Sequence, residues 1–138
     1  MKDAGKLAPV GTEVRDGKFG FRVNQVETGV KTVGTNPYLK KEAQGSFVVV
    51  HVSVSNTSGK PQTYFGSNQK LYDARGRQFS NDTMAEMNVN DQSVIGADIN
   101  PGNRLDVVIV FDLPAEAEPQ VIEFHDSVFS GGVKASLR

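Results

Sequence analysis

The sequence contains no cysteine and no tryptophan. Without cysteine there is no disulfide, no iron–sulfur cluster, no thiolate zinc site and no cysteine nucleophile. That absence does not fix a compartment, because an exported domain with an adequate core folds without disulfides. Histidine is scarce too: His51 and His125 lie far apart in the sequence. No apolar run approaches the roughly 20 residues that span a bilayer, and no signal-peptide core is visible. Neither sign of charge dominates. Fifteen basic and sixteen acidic residues leave a net charge of -1, a poor electrostatic footprint for nucleic acid. Lys40-Lys41 is the one adjacent basic pair and reads as part of a solvated loop. The phosphate loop, the dinucleotide fingerprint, the His-Glu-x-x-His motif and the Gly-x-Ser-x-Gly elbow are all missing.

What is present is valine in alternation. Val48, Val50, Val52 and Val54 line one face of a strand without interruption. Phe47, Val49 and His51 line the other, followed by Ser53 and Ser55. One face is therefore buried and the other half covered, as in a central strand of a sandwich. Phe19, Phe21 and Val23 alternate in the same way. Val26 breaks the period, which predicts a bulge near Asn24-Gln25. Leu105, Val107, Ile109, Phe111 and Leu113 predict a second central strand, ended by Pro114. Residues 120–125 and 132–137 supply the last two strands.

Turn signals separate these runs. Asp16-Gly17 predicts a tight hairpin, Gly76 a short loop needing a left-handed residue, and Asn100-Pro101-Gly102 a type II turn. Residues 27–44 are polar and contain Asn36-Pro37, so they read as a long loop, either functional or mobile. Residues 82–88 read as a short helical turn capped by Asp82. The expectation is one all-β domain, an antiparallel sandwich of seven to eight strands over residues 11–138, with 1–10 as a linker.

Candidate chemistry is sparse. His51, beside valines in mid-strand, reads as a packing or interface residue rather than a base. His125-Asp126-Ser127 holds the three triad residue types, but neighbours in an extended chain face opposite ways and cannot form a relay among themselves. A hydrolase would need Ser127 or Asp126 with His51 brought close by the fold. Asp82, Glu86, Asn88, Asn90 and Asp91 form an oxygen-rich stretch that could attract calcium, without the spacing or glycine of a calcium loop. It reads as a solvated loop. Asn56-Thr57-Ser58 and Asn81-Asp82-Thr83 match the glycosylation acceptor pattern. Tyr38, Tyr64, Phe65 and Tyr72 could offer aromatic contacts to a partner, with Tyr64-Phe65 read as packing on the sandwich edge. No catalytic, cofactor-binding or metal residue is assigned.

As an ordered set these pieces resemble a known family. They are Gly-x-x-Val-x-Asp-Gly-x-Phe-x-Phe-x-Val at 11–23, Gly-x-Phe-Val-Val-Val-x-Val-x-Val-x-Asn at 45–56, Pro61-Gln62-Thr63, residues 71–77, Asn100-Pro101-Gly102 and Val110-Phe111-Asp112-Leu113-Pro114. The set is similar to a telokin-like, immunoglobulin-fold bacterial family still described as a domain of unknown function, and to the immunoprotective extracellular antigen of mycobacteria. The tail from His125 to Val133 looks like the actinobacterial branch. The resemblance implies an immunoglobulin-like sandwich that is secreted, or lipid-anchored through an N-terminal cysteine behind a signal peptide. That cysteine is absent from this chain, and the family carries no established catalytic residues.

The resulting expectation is a non-enzymatic binding module of the extracellular space or cell envelope, the mature part of a secreted protein or lipoprotein. It would need no cofactor, avoid nucleic acid, meet a membrane only through a lipid anchor, and be a monomer or weak homo-oligomer. Its partner would be a protein or envelope component. A structural or oligomerising protein using exposed strand edges is the alternative.

Overall fold

The computed structural model describes residues 7–34, 38, 40–66, 69–90, 94, 96–127 and 129–138. Among these residues ten strands and one helix follow in chain order: β1 (Glu13–Asp16), β2 (Phe19–Val33), β3 (Lys41–Asn56), β4 (Gln62–Thr63), β5 (Lys70–Asp73), β6 (Gln78–Ser80), α1 (Thr83–Val89), β7 (Asp98–Ile99), β8 (Arg104–Leu113), β9 (Pro119–Phe124) and β10 (Val133–Ser136). Eight strands form two antiparallel sheets, ordered β1-β2-β3-β8 and β10-β9-β5-β6, and β4 pairs with β7 as a small two-stranded sheet. The expected all-β sandwich with one short helix is what forms.

The core lies between the two sheets. Phe19, Phe21, Val50, Val54, Leu71, Phe111, Ile122 and Phe124 are fully buried there. Phe21 of β2 stacks on Phe124 of β9 with ring centroids 4.6 Å apart and planes 2° apart, tying one sheet to the other. Each such side chain contributes about 1.5–3 kcal/mol by leaving water. Gly17 closes the β1–β2 hairpin at φ 57°, Gly76 the β5–β6 hairpin at φ 77°, and Gly102 sits at φ 81° in the turn before β8.

The bulge falls where expected: β2 shifts register against β3 between Val23 and Gln25. Four expectations are corrected. Residues 27–44 are not a long loop. β2 runs on to Val33 and β3 starts at Lys41, with further register shifts between Glu27 and Val30 and between Val30 and Thr32. This end of the hairpin is exposed on most of its length, so it carries polar side chains without being irregular. Asn36 and Pro37 lie outside the described residues. Lys41 is the first residue of β3, not part of a solvated loop, and its Nζ sits 3.1 Å from the Asp82 carboxylate. The strand from Leu105 is an edge strand rather than a central one, since among the strands β8 pairs with β3 alone, with a single bridge from Phe111 to Asn81 on its other side. And residues 8–10 join the domain: Ala8 bridges Ala135, the Ser136 N–H donates to the Ala8 carbonyl at 2.9 Å, and Val10 packs against the core.

The outer face of β3 is covered further than its sequence suggests. Phe47 and Val49 join Val33, Val110 and Ala85 in a second buried cluster. Ala85 comes from α1, which lies against the outside of the first sheet.

A helix that fills a sheet edge and one wall of a cleft

The helical turn expected at 82–88 forms as α1, but the oxygen-rich side chains of this stretch, read as solvated, are not. Its side chains are instead committed to the outer edge of β8. The Asp82 carboxylate caps α1 by accepting from the Ala85 N–H. The Asp82 N–H donates to the Val110 carbonyl at 2.7 Å. The Glu86 carboxylate accepts from the Val110 N–H at 3.0 Å. The Asn90 side chain acts like a strand neighbour: its amide donates to the Val108 carbonyl and accepts from the Val108 N–H, both at 2.8 Å. Residues spaced four apart share one helix face, so 82 and 86 both meet Val110 and 90 meets Val108, two residues along the same edge. An open edge invites pairing with another chain, and here it is satisfied within the molecule. Asp82, Glu86 and Asn90 are engaged with backbone and Lys41, Asp91 lies outside the described residues, and no cluster of metal-ligating side chains occurs among the described residues.

The same helix face walls a cleft of about 320 Å³. Thr83, Glu86, Met87 and Asn90 contribute from α1, and Val107 to Ile109 from β8. The opposite wall is the segment after β4. The Tyr64 N–H donates to the Ala97 carbonyl at 3.0 Å, continuing the β4–β7 ladder by one residue. Alternation along this extended stretch sends Tyr64 inward and Phe65 outward. Tyr64 is 5 % exposed and packs edge-on against Phe19, whereas Phe65 is 58 % exposed at the rim. The expectation that both pack on the sandwich edge therefore holds for Tyr64 alone. Gly66 keeps the space between the walls open. A Cβ there would lie 3.5 Å from the Tyr64 hydroxyl oxygen and 3.8 Å from Glu86 Oε1.

Two buried polar side chains, Glu86 and Tyr64, line this cleft on either side of Gly66. Glu86 is buried, and its carboxylate accepts from Asn81 Nδ2 at 2.9 and 3.0 Å as well as from Val110. Burial raises its pKa to about 7; the bonds from Val110 and Asn81 oppose the rise and nearby Asp82 adds to it. The Tyr64 hydroxyl has no hydrogen-bond partner among the described residues. Burial, with the Glu86 charge adding to it, holds this phenol above the usual range. The Gln69 side chain, which accepts from the His125 N–H at 2.8 Å and donates to the His125 carbonyl at 3.3 Å, opposes the rise.

The structure places the other candidates elsewhere. His51 Nε2 is 2.7 Å from Glu27 Oε1 on the outer face of the first sheet. Asp126 accepts from the Lys18 N–H at 2.9 Å, its N–H donates to Asp16 at 2.7 Å, and Lys18 Nζ donates to its carbonyl at 3.0 Å. It clasps the β1–β2 hairpin. That hairpin lies beyond Phe19, which pairs with Asn56. Along β3, Asn56 is about 16 Å from His51 at the usual strand rise. His51 is thus not brought to Asp126 or the adjoining Ser127, and the relay a hydrolase would need does not form. His125 faces Glu123 Oε1 at 2.9 Å and Ser130 at 3.2 Å. Asn56 is 2 % exposed and donates to the Lys60 and Ile99 carbonyls, so it cannot accept a glycan. Asn81 is spent on Gly66 and Glu86. Tyr72 receives Gln78 on its hydroxyl and Lys134 over its ring, and Tyr38 is 93 % exposed.

Residues 8–135 match the family described as Domain of unknown function (DUF4352). The chain belongs to this family. Solved structures share the fold. The secreted protein MPT63 of Mycobacterium tuberculosis superposes with a TM-score of 0.63 at 15% identity, covering 89% of this chain and 91% of that one. The yjhA protein of Bacillus subtilis gives 0.67 at 13% identity, covering 96% and 100%. The ycdA protein of Bacillus subtilis, described as a candidate lipoprotein, gives 0.62 at 16% identity, covering 91% of this chain but 38% of that one. No curated protein matches the sequence significantly.

Proposed function

We propose that this domain is a non-enzymatic binding module of the extracellular space or cell envelope, and that it binds in the cleft between α1 and the segment after β4. The observation that carries the reading is the Tyr64 hydroxyl, buried and unpartnered among the described residues on a residue that lines an apolar cleft. A buried polar group without a partner costs about 1–3 kcal/mol, and an apolar pocket with a few convergent polar groups is the usual form of a small-molecule site. A second hollow of about 330 Å³ lies between Thr28, Ser46 and Pro114, but no unpartnered buried polar atom is aimed into it among the described residues. Export is supported by the secreted and candidate-lipoprotein relatives. The strand-pairing alternative is weakened by the filled edge of β8.

The test is a ligand-observed NMR screen of small apolar fragments against the wild type and Gly66→Leu, whose side chain would occupy the space beside Tyr64. Fragments that bind the wild type and not the equally stable variant are expected. Binding that ignores the substitution refutes the cleft. Fractionation of the source cells tests export, and protein confined to the cytoplasm refutes it.

A further inference from the structure

The cleft holds the carboxyl group of Glu86, and above about pH 7, where it ionises, no cation faces it among the described residues. Glu86 accepts only from neutral donors, the Asn81 amide and the Val110 N–H. It takes part in no ion pair within 4 Å among the described residues. The charged or titratable groups around it are few. From its own helix comes Asp82, another acid. From β3 comes Lys41, held by Asp82 at 3.1 Å. From the opposite wall comes Tyr64, a neutral phenol that can both donate and accept. From β8 comes only backbone. A carboxylate in such a place repels an anion and lacks the cation that would offset its burial. Apart from Thr83 and Asn90 the rest of the lining is apolar or glycine, with the Phe65 ring at the rim, where a passing cation would meet an aromatic face.

We infer that the cleft selects a small primary ammonium group on an apolar body, the cation resting between the Glu86 carboxylate and the Tyr64 hydroxyl and the body lying against Phe65, Met87 and Val94. This rests on the cleft being the binding site. The ammonium donates to Glu86 and to the unpartnered hydroxyl oxygen, so a single group answers both orphaned features. A matched alcohol satisfies the hydroxyl alone, and a matched carboxylate meets repulsion.

Phenethylamine, 2-phenylethanol and phenylacetate share one apolar body and differ only in the terminal group. Titrated into the intact chain at pH 8 by calorimetry, the amine is expected to bind at least tenfold more tightly than the alcohol, with the acetate weakest. Amine affinity is expected to rise between pH 6 and pH 8, because Glu86 ionises while the amine stays protonated. Glu86→Gln is expected to bring the amine to the level of the alcohol and leave the alcohol unchanged. Tyr64→Phe, which removes a hydroxyl without breaking a hydrogen bond, is expected to weaken amine and alcohol alike. If the alcohol or the acetate binds as tightly as the amine, or if the amine preference survives in Glu86→Gln, the ammonium assignment is overturned while the cleft stands. If no probe binds, both are overturned. Should Glu86→Gln melt too early to titrate, the order of the three probes on the wild type and the Tyr64→Phe response decide the matter alone.

Discussion

Glu86 makes the pH dependence of stability depart from that of an ordinary surface carboxylate. In the folded chain burial raises its pKa from 4.5 to about 7. Below about pH 4.5 it is protonated in both folded and unfolded chains and contributes nothing. Between pH 4.5 and 7 the unfolded chain releases the proton while the folded chain retains it, so stability falls as pH rises. Above pH 7 the penalty is complete. At 1.36 kcal/mol per pKa unit it amounts to about 3 kcal/mol. Glutamine at this position is neutral throughout and keeps an oxygen to accept from Val110. The stability of Glu86→Gln relative to wild type should therefore rise by about 3 kcal/mol from pH 4 to pH 8, a relative gain in Tm of roughly 10 °C for a domain of this size. Asp73 and Glu116 titrate in the opposite sense. Burial alone would raise Asp73, but hydrogen bonds from Arg77 and Arg75 hold it below the usual range, and Arg77 likewise lowers Glu116. Both are present in each protein and drop out of the difference. Urea unfolding at pH 4, 5.5, 7 and 8 measures it. Parallel curves for the two proteins would show that Glu86 does not ionise late, and the account of the cleft's electrostatics would fail.

Other expectations follow from the same geometry. Asn90→Ala leaves the Val108 N–H and carbonyl without their strand-like partner, at a cost of about 1–2 kcal/mol. Hydrogen exchange at the Val108 amide should quicken, and unchanged protection would refute the edge-filling role. Tyr64→Phe should be neutral or stabilising by up to about 1 kcal/mol in thermal melts, because the lost hydroxyl has no partner; a clear loss would mean that it has one. A Cβ at Gly45 would run into the backbone carbonyl of Leu113, so Gly45→Ala should lower the urea midpoint by an amount worth about 1–3 kcal/mol. An unchanged midpoint would show that the strand end yields freely.

Much of the scaffold is legible in the chain because strand burial is a local signal. The alternation at Val48, Val50, Val52 and Val54, the broken period at Val26, the glycines at 17, 76 and 102 and the cap at Asp82 each rest on a few neighbouring residues. Polarity misled where exposure and irregularity part company. The far end of the β2–β3 hairpin is polar because solvent reaches most of its length, yet it is still a paired ribbon. Leu105 to Leu113 alternates as a central strand does because a helix, rather than another strand, completes its outer edge.

The site itself was scarcely visible. Glu86, Asn90 and Tyr64 carry no motif, and each was read as loop or packing. One signal was available: Thr83, Glu86, Met87 and Asn90 share a helix face, and Asp82, Glu86 and Asn90 recur every fourth residue. That spacing identifies the residues that act together without saying what they face. Sequence by itself settled that this is an all-β sandwich and which side chains its two sheets bury, since both follow from periodicities of a few residues. Which edge α1 would fill, that Glu86 would be buried without a cation, and that Tyr64 would line a cleft with its hydroxyl buried and unpartnered were decided only by tertiary structure. Each depends on the docking of segments some twenty to forty residues apart, and no local pattern encodes that docking.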